Sequence, residues 1–297
     1  SAGIALYPRD GSAMDQLLTR ADLALSRAKQ LGLERVEVYS PEKQAVQDRL
    51  AWMHLIRKAV TGDGLRLVWQ PILDLRADRV SMYEVLVRLY ENGALVSPEV
   101  FVLYAERYGL IHEIDQWVVE QVIGLLQKTD LHLLVNTSGK SFSHPQFVDG
   151  VIRRLSSARV DASRLTFEIT ETDAIVELSQ AQRFVEALKS LGCQVALDDF
   201  GVGFSSLKYV RDLAVDYIKI DGSFIKNLRH NAMDQHLVRS IVQVAQGLGI
   251  QTVAECVEDQ ETLEVLRQLG VDYAQGYYIG YPRPIQYPFP RAGSSGW

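Results

Sequence analysis

Two adjacent aspartates, Asp198 and Asp199, end the apolar run Val195–Leu197, and a Gly-rich stretch with Gly201 and Gly203 follows Phe200. Side-by-side carboxylates repel unless something neutralises them. Other polar residues fall at similar places. Short β-rich runs recur at Leu65–Ile72, Met82–Leu89, His132–Asn136, Leu165–Ile169, Gln194–Asp198, Tyr217–Ile220, Thr252–Glu255 and Tyr273–Gln275. Glu84 lies within the second run, Asn136 ends the third, Glu168 the fourth, and Asp198 with Asp199 the fifth. Lys219 lies in the sixth, Glu255 ends the seventh and Gln275 the eighth. One acid at a strand end is ordinarily a cap or a surface group. A ring of carboxylates around one mouth calls for divalent cations. An all-oxygen donor set suits Mg2+ or Mn2+ rather than zinc. None of the six histidines ends a predicted strand, which argues against a histidine-bound zinc or iron hydrolase. Two cations ~3.5–4 Å apart clamp the attacking and leaving oxygens of a phosphoryl displacement. One aspartate of the pair is suited to bridge them, and its neighbour to ligate the second. Lys219 is suited to orient or deprotonate an attacking water, or to stabilise the charge that develops.

These residues need a scaffold that gathers strand ends. Helical patterns at 98–108, 113–127, 145–156, 178–191, 205–212, 233–248 and 259–269 separate the β runs, and Leu-Gly pairs close several of them. Eight strands alternating with helices predict an α/β fold, a (β/α)8 TIM barrel whose function sits at the C-terminal strand ends. The first two strands are separated only by Asp74–Ser81, too short for a crossover helix. They are expected to pair antiparallel, giving a modified barrel. Ahead of it, Ser1–Tyr7, Ala13–Leu31 and Arg35–Tyr39 read as a β-α-β fragment over residues 1–40. A linker helix over 41–62, the barrel over 63–285 and an irregular Pro- and Gly-rich tail over 286–297 complete the expected organisation.

The formal net charge of −6 argues against binding a DNA or RNA polymer. Cys193 and Cys256 form no CxxC pattern, which predicts reduced thiols and a cytoplasmic location, and Cys256, with no histidine placed to activate it, reads as a packed thiol. No apolar run approaches the ~20 residues of a membrane helix. Ser1 reads as the middle of a domain, so the native N-terminus, with any inner-membrane anchor, is expected upstream. A Schiff-base role for Lys219 is disfavoured, because nearby carboxylates keep the amine protonated.

The motifs E-V-L-V-R, V-N-T-S, F-E-I-T-E, D-D-F-G-V-G-F-S-S-L, I-K-I-D, A-E-C-V-E and Q-G-Y-Y-I-G-Y-P-R-P, in this order from about Leu50 to Pro284, resemble the EAL domain, the cyclic di-GMP phosphodiesterase family. The resemblance implies metal-dependent hydrolysis of one phosphodiester of cyclic di-GMP to linear pGpG, active with Mg2+ or Mn2+ and inhibited by Ca2+. It implies Glu84, Asn136, Glu168 and Asp198 as first-metal ligands, with Asp198 bridging and Asp199 and Glu255 serving the second. Lys219 and Gln275 would position the water. Gln70, Leu86 and Arg88 would hold the dinucleotide, with Glu258 and Pro284 near a guanine. Glu171 would anchor the loop after the fifth strand, through which a homodimer is expected. Residues 1–40 resemble the C-terminal end of a GGDEF domain, implying GGDEF and sensor domains upstream. The sequence departs from the family at Val85, Val202 and Phe204. Those departures support the alternative, a catalytically weak cyclic di-GMP receptor.

Overall fold

The computed structural model describes residues 1–30, 35–202 and 207–285. Phe204, Leu31 and the 286–297 tail lie outside these residues. The chain divides into two compact units, Ser1–Ile56 and Arg57–Trp297.

In the first unit, β1 (Ala2–Ile4) and β2 (Val36–Val38) pair in parallel, joined by α1 (Met14–Gln30). Gly3 lets the helix lie against the strand. A Cβ there would stand 2.2 Å from the Ala21 carbonyl oxygen and the Leu25 nitrogen. The next helix, α2 (Pro41–Thr61), begins in this unit and ends in the second.

The second unit contains β3 (Leu65–Asp74), β4 (Arg79–Glu91), β5 (Ala94–Val96), α3 (Pro98–Arg107), α4 (Ile111–Leu126), β6 (His132–Asn136), α5 (Gly139–Phe142), α6 (Pro145–Ser157), β7 (Leu165–Thr170), α7 (Glu171–Val176), α8 (Leu178–Ser190) and β8 (Gln194–Phe200). It continues through α9 (Leu207–Leu213), β9 (Tyr217–Ile220), α10 (Gly222–Ile225), α11 (Ala232–Leu248), β10 (Gln251–Ala254), α12 (Gln260–Leu269), β11 (Tyr273–Gln275) and β12 (Arg283–Pro284). Strands β4, β6, β7, β8, β9, β10 and β11 run parallel in that order, and β3 closes the barrel antiparallel to both β4 and β11. The expected eight strands are all present. Two more join the sheet: β5 returns on β4 through Asn92-Gly93, both left-handed as a two-residue hairpin turn requires, and β12 adds to β3. Gly249 and Gly270 end α11 and α12 in the left-handed conformation, the C-cap role of the Leu-Gly pairs.

A strand turns alternate residues to the same face. Ile72, Met82, Leu134, Ala196, Tyr217 and Val253 pack together with Tyr273 as one apolar cluster. Two residues further along the parallel strands come Glu84, Asn136, Asp198, Lys219, Glu255 and Gln275; on reversed β3 the step back from Ile72 gives Gln70. Buried Thr166 stands in the same relation to Glu168. The polar residues are therefore the next inward layer above an apolar plug. Among the described residues, no helix is long and apolar enough to cross a membrane.

Candidate active site

Lys219 is the centre of the layer. Its side chain is 1% exposed, and Nζ lies 2.8 Å from Glu255 Oε1, 3.1 Å from Asp198 Oδ1, 3.2 Å from Glu168 Oε2 and 3.8 Å from Glu84 Oε2. Burial alone would lower the lysine pKa, but Asp198, Glu168, Glu255 and Glu84 together hold it well above the ordinary value. The ammonium neutralises one of several charges, so the carboxylates divide the remainder unequally. Burial pushes Glu168 well above the carboxylate range, against the pull of Lys219. Burial likewise lifts Glu255 to about 7. Burial also opposes the ionised form of Glu84. Lys219, Gln275 and Asn136 outweigh it and hold that group below its usual value.

Glu84 accepts from Asn136 Nδ2 at 2.6 Å on one oxygen and from Gln275 Nε2 at 2.6 Å on the other. Gln275 also donates to Gln70 Oε1 at 3.2 Å, and Gln70 donates to the Gly280 carbonyl at 3.0 Å. The layer is thus stitched across the β4–β6 and β11–β3 seams, with Gln275 of β11 also bonded to Glu84 of β4.

Strand alternation would turn Asp199 away from Asp198. The β8–β9 register slips between Leu197 and Phe200, and Asp199 takes φ 55°, so a bulge interrupts the alternation. The result brings oxygens of Asp198, Asp199 and Glu255 within 4.8 Å of one another. Burial and the Asp198 charge raise Asp199.

A divalent cation fits these donors. The set is all oxygen and amide. Among the described residues, the buried Glu168 Oε1 and Gln275 Oε1 lack a hydrogen-bond partner. An orphaned buried carboxylate oxygen costs ~1–3 kcal/mol or more unless something else satisfies it.

The segment after Asp199 is held from the neighbouring strand end. Glu171, the first residue of α7, is 2% exposed and accepts from the Gly201 amide at 2.8 Å and from the Tyr209 hydroxyl at 2.6 Å. The sequence reading found Glu171 but missed Tyr209, which no spacing rule singles out.

Other expected residues lie further out. Leu86 and Arg88 continue the inward alternation of β4 into a cavity of 260 Å³, whose walls include Ile114, Asp115 and Ser138. Burial lifts Asp115 to about 7, even though its carboxyl accepts from the Ser138 amide at 3.1 Å. The sequence reading missed Asp115 too. Its signal was an acid on the apolar face of α4, among Ile111, Ile114, Val118 and Val122. Glu258 is exposed. Pro284 pairs with Val68 in β12 and lines an outer groove with Trp117 and Leu125, away from the carboxylates. Val85 is buried, and Val202 is 67% exposed. Cys193 is buried, whereas Cys256, expected to be packed, is exposed. Its φ of 55° just beyond β10 breaks the strand alternation that would have packed it.

A match to the EAL domain family spans residues 53–282. The chain is 37% identical over 295 residues to the cyclic di-GMP phosphodiesterase PdeB of Shewanella oneidensis, covering 96% of this chain and 34% of that protein. It is 35% identical over 249 residues to the cyclic di-GMP phosphodiesterase PdeF of Escherichia coli, covering 82% of this chain and 33% of that protein. The chain therefore spans about a third of the length of these relatives. In three dimensions it resembles the FimX EAL domain of Xanthomonas citri, solved in complex with c-diGMP, with a TM-score of 0.76 and 32% identity; the match covers 84% of this chain and all of that one.

Proposed function

Because this chain belongs to the EAL domain family, we propose that its barrel hydrolyses one phosphodiester of cyclic di-GMP, releasing linear pGpG. The observation that carries this reading is the ring of four carboxylates around buried Lys219, with oxygens left unsatisfied inside it. Glu84, Asn136, Glu168 and Asp198 would hold one Mg2+ or Mn2+, and Asp199 and Glu255, with Asp198 bridging, a second. When bound, the cations supply Lewis-acid neutralisation of phosphoryl charge. In the metal-free protein these acids hold Lys219 protonated, a state suited to stabilising charge and orienting the reacting groups. Gln275, already donating to Glu84, orients the attacking water. Arg88 offers a guanidinium to the substrate phosphates. The 260 Å³ cavity, with apolar walls and the Asp115 carboxyl, matches the faces and the N–H donors of a guanine base.

The exposed apolar residues Ile175, Val176 and Val202 lie near the Glu171–Gly201 contact and support a homodimer through the loop after β8. The length of the relatives, and the single β-α-β unit at residues 1–56, support GGDEF and sensor domains upstream. The two free cysteines support a cytoplasmic location.

The test is incubation of purified protein with cyclic di-GMP in Mg2+, Mn2+ or Ca2+. Formation of pGpG with the first two alone, abolished by Glu84→Ala, is expected. Tight binding without turnover in saturating metal would replace this reading with the receptor.

A further inference from the structure

We infer that Tyr209 is a positioning residue for the metal site, acting through Glu171; the inference rests on the two-metal reading above. Glu171 leaves the end of β7, three residues after Glu168, and its buried carboxylate joins two other elements. One oxygen holds the Gly201 amide, two residues after Asp199. The other receives the Tyr209 hydroxyl from α9 at 2.6 Å, a length typical of a charge-assisted bond. Only glycine fits at position 201. Its φ is +105°, and a Cβ there would stand 2.8 Å from the Phe224 ring. The Asp198–Asp199 bulge is thus fixed on its far side by one carboxylate, and that carboxylate is aimed by a phenol. Tyr209 is 7% exposed, so a phenylalanine fills the same space without the hydroxyl.

The experiment measures Mn2+ binding by the spin-resonance signal of free Mn2+, a readout independent of turnover. Tyr209→Phe is expected to weaken Mn2+ binding roughly tenfold. The Mg2+ activation constant should rise by the same factor, with kcat at saturating metal within about twofold of wild type. Adding Tyr209→Phe to Glu171→Gln should weaken binding by much less than the product of the two single effects. Val210→Ala, a buried neighbour on α9, should lower Tm without moving Mn2+ affinity. Amide exchange in the unsubstituted chain gives a further measurement, with Gly201 expected to be protected like the β8 amides. A Tyr209→Phe variant that only melts earlier, with Mn2+ affinity within twofold of wild type, overturns the inference. So does a freely exchanging Gly201 amide, or wild-type protein that takes up no Mn2+. Mn2+ binding without hydrolysis would count against the phosphodiesterase reading alone.

Discussion

Lys219→Met keeps the length and apolar stem of the side chain and removes the charge. In the metal-free protein that ammonium faces four carboxylates at 2.8 to 3.8 Å. At an effective dielectric of about 20, each contact is worth ~4–6 kcal/mol before costs. Repulsion among the acids and desolvation of the ammonium offset most of that sum. Removing one partner of a buried ionic cluster typically costs ~3–5 kcal/mol. At ~2–4 °C per kcal/mol for a barrel of this size, Tm in EDTA should fall by about 6–20 °C. Added Mg2+ or Mn2+ should restore more of the Tm in the variant than it adds in wild type, because the cation takes over the neutralising role. Turnover should stay lost, since neither metal restores the donor that orients the reacting groups. Thermal melts of both proteins, in EDTA and in saturating metal, read all of this. A variant that melts within about 2 °C of wild type in EDTA, or gains no more from metal, would refute a shared counter-ion role for Lys219.

Metal uptake should release protons near neutrality. Glu255 is raised to about 7 and Glu168 is also raised, and both must ionise to ligate. Mn2+ affinity should therefore fall as pH drops below about 7, by up to about tenfold per unit for each proton released, and calorimetry in buffers of different ionisation enthalpy should detect the release. His132 is half-buried beside Thr166 with its pKa lowered to about 4, first by burial and then by Arg164. The unfolded chain takes up that proton first, so stability is lost as pH falls from about 6.5 to about 4, by up to roughly 3 kcal/mol. Denaturant titrations of His132→Asn should show a shallower loss across that window than wild type. Gly276→Ala puts a Cβ 2.1 Å from the Val257 carbonyl oxygen, so it should cost at least ~2 kcal/mol in urea melts and raise KM through the displaced Gln275. Asp115→Leu should raise KM for cyclic di-GMP severalfold while leaving hydrolysis of a small bis-aryl phosphodiester unchanged.

Much of this molecule is local and periodic, and that part is legible in the chain. Apolar runs with period two, separated by amphipathic helices with Leu-Gly ends, specify eight strands and a barrel. The short Asp74–Ser81 connection specifies the reversed strand. Because side chains alternate, placing Glu84, Asn136, Glu168, Asp198, Lys219, Glu255 and Gln275 near strand ends also specifies one polar layer. Asn92-Gly93 carried a hairpin signal that the strand reading passed over. What remained hidden depends on approach between distant elements. No periodicity announces that Asp199 leaves the alternation through a bulge, since the slip is fixed by pairing with β9. The ordering of the carboxylates is hidden in the same way. Burial raises both, and Glu168 stays above its usual range while Glu84 falls below it because Glu84 also receives the Asn136 and Gln275 amides after folding. Tyr209 meets Glu171 across 38 residues of chain. Which groups face the mouth is already written in the chain, because it follows from strand alternation. Which of them share the Lys219 ammonium or a hydrogen bond depends instead on distances and burial that packing alone sets.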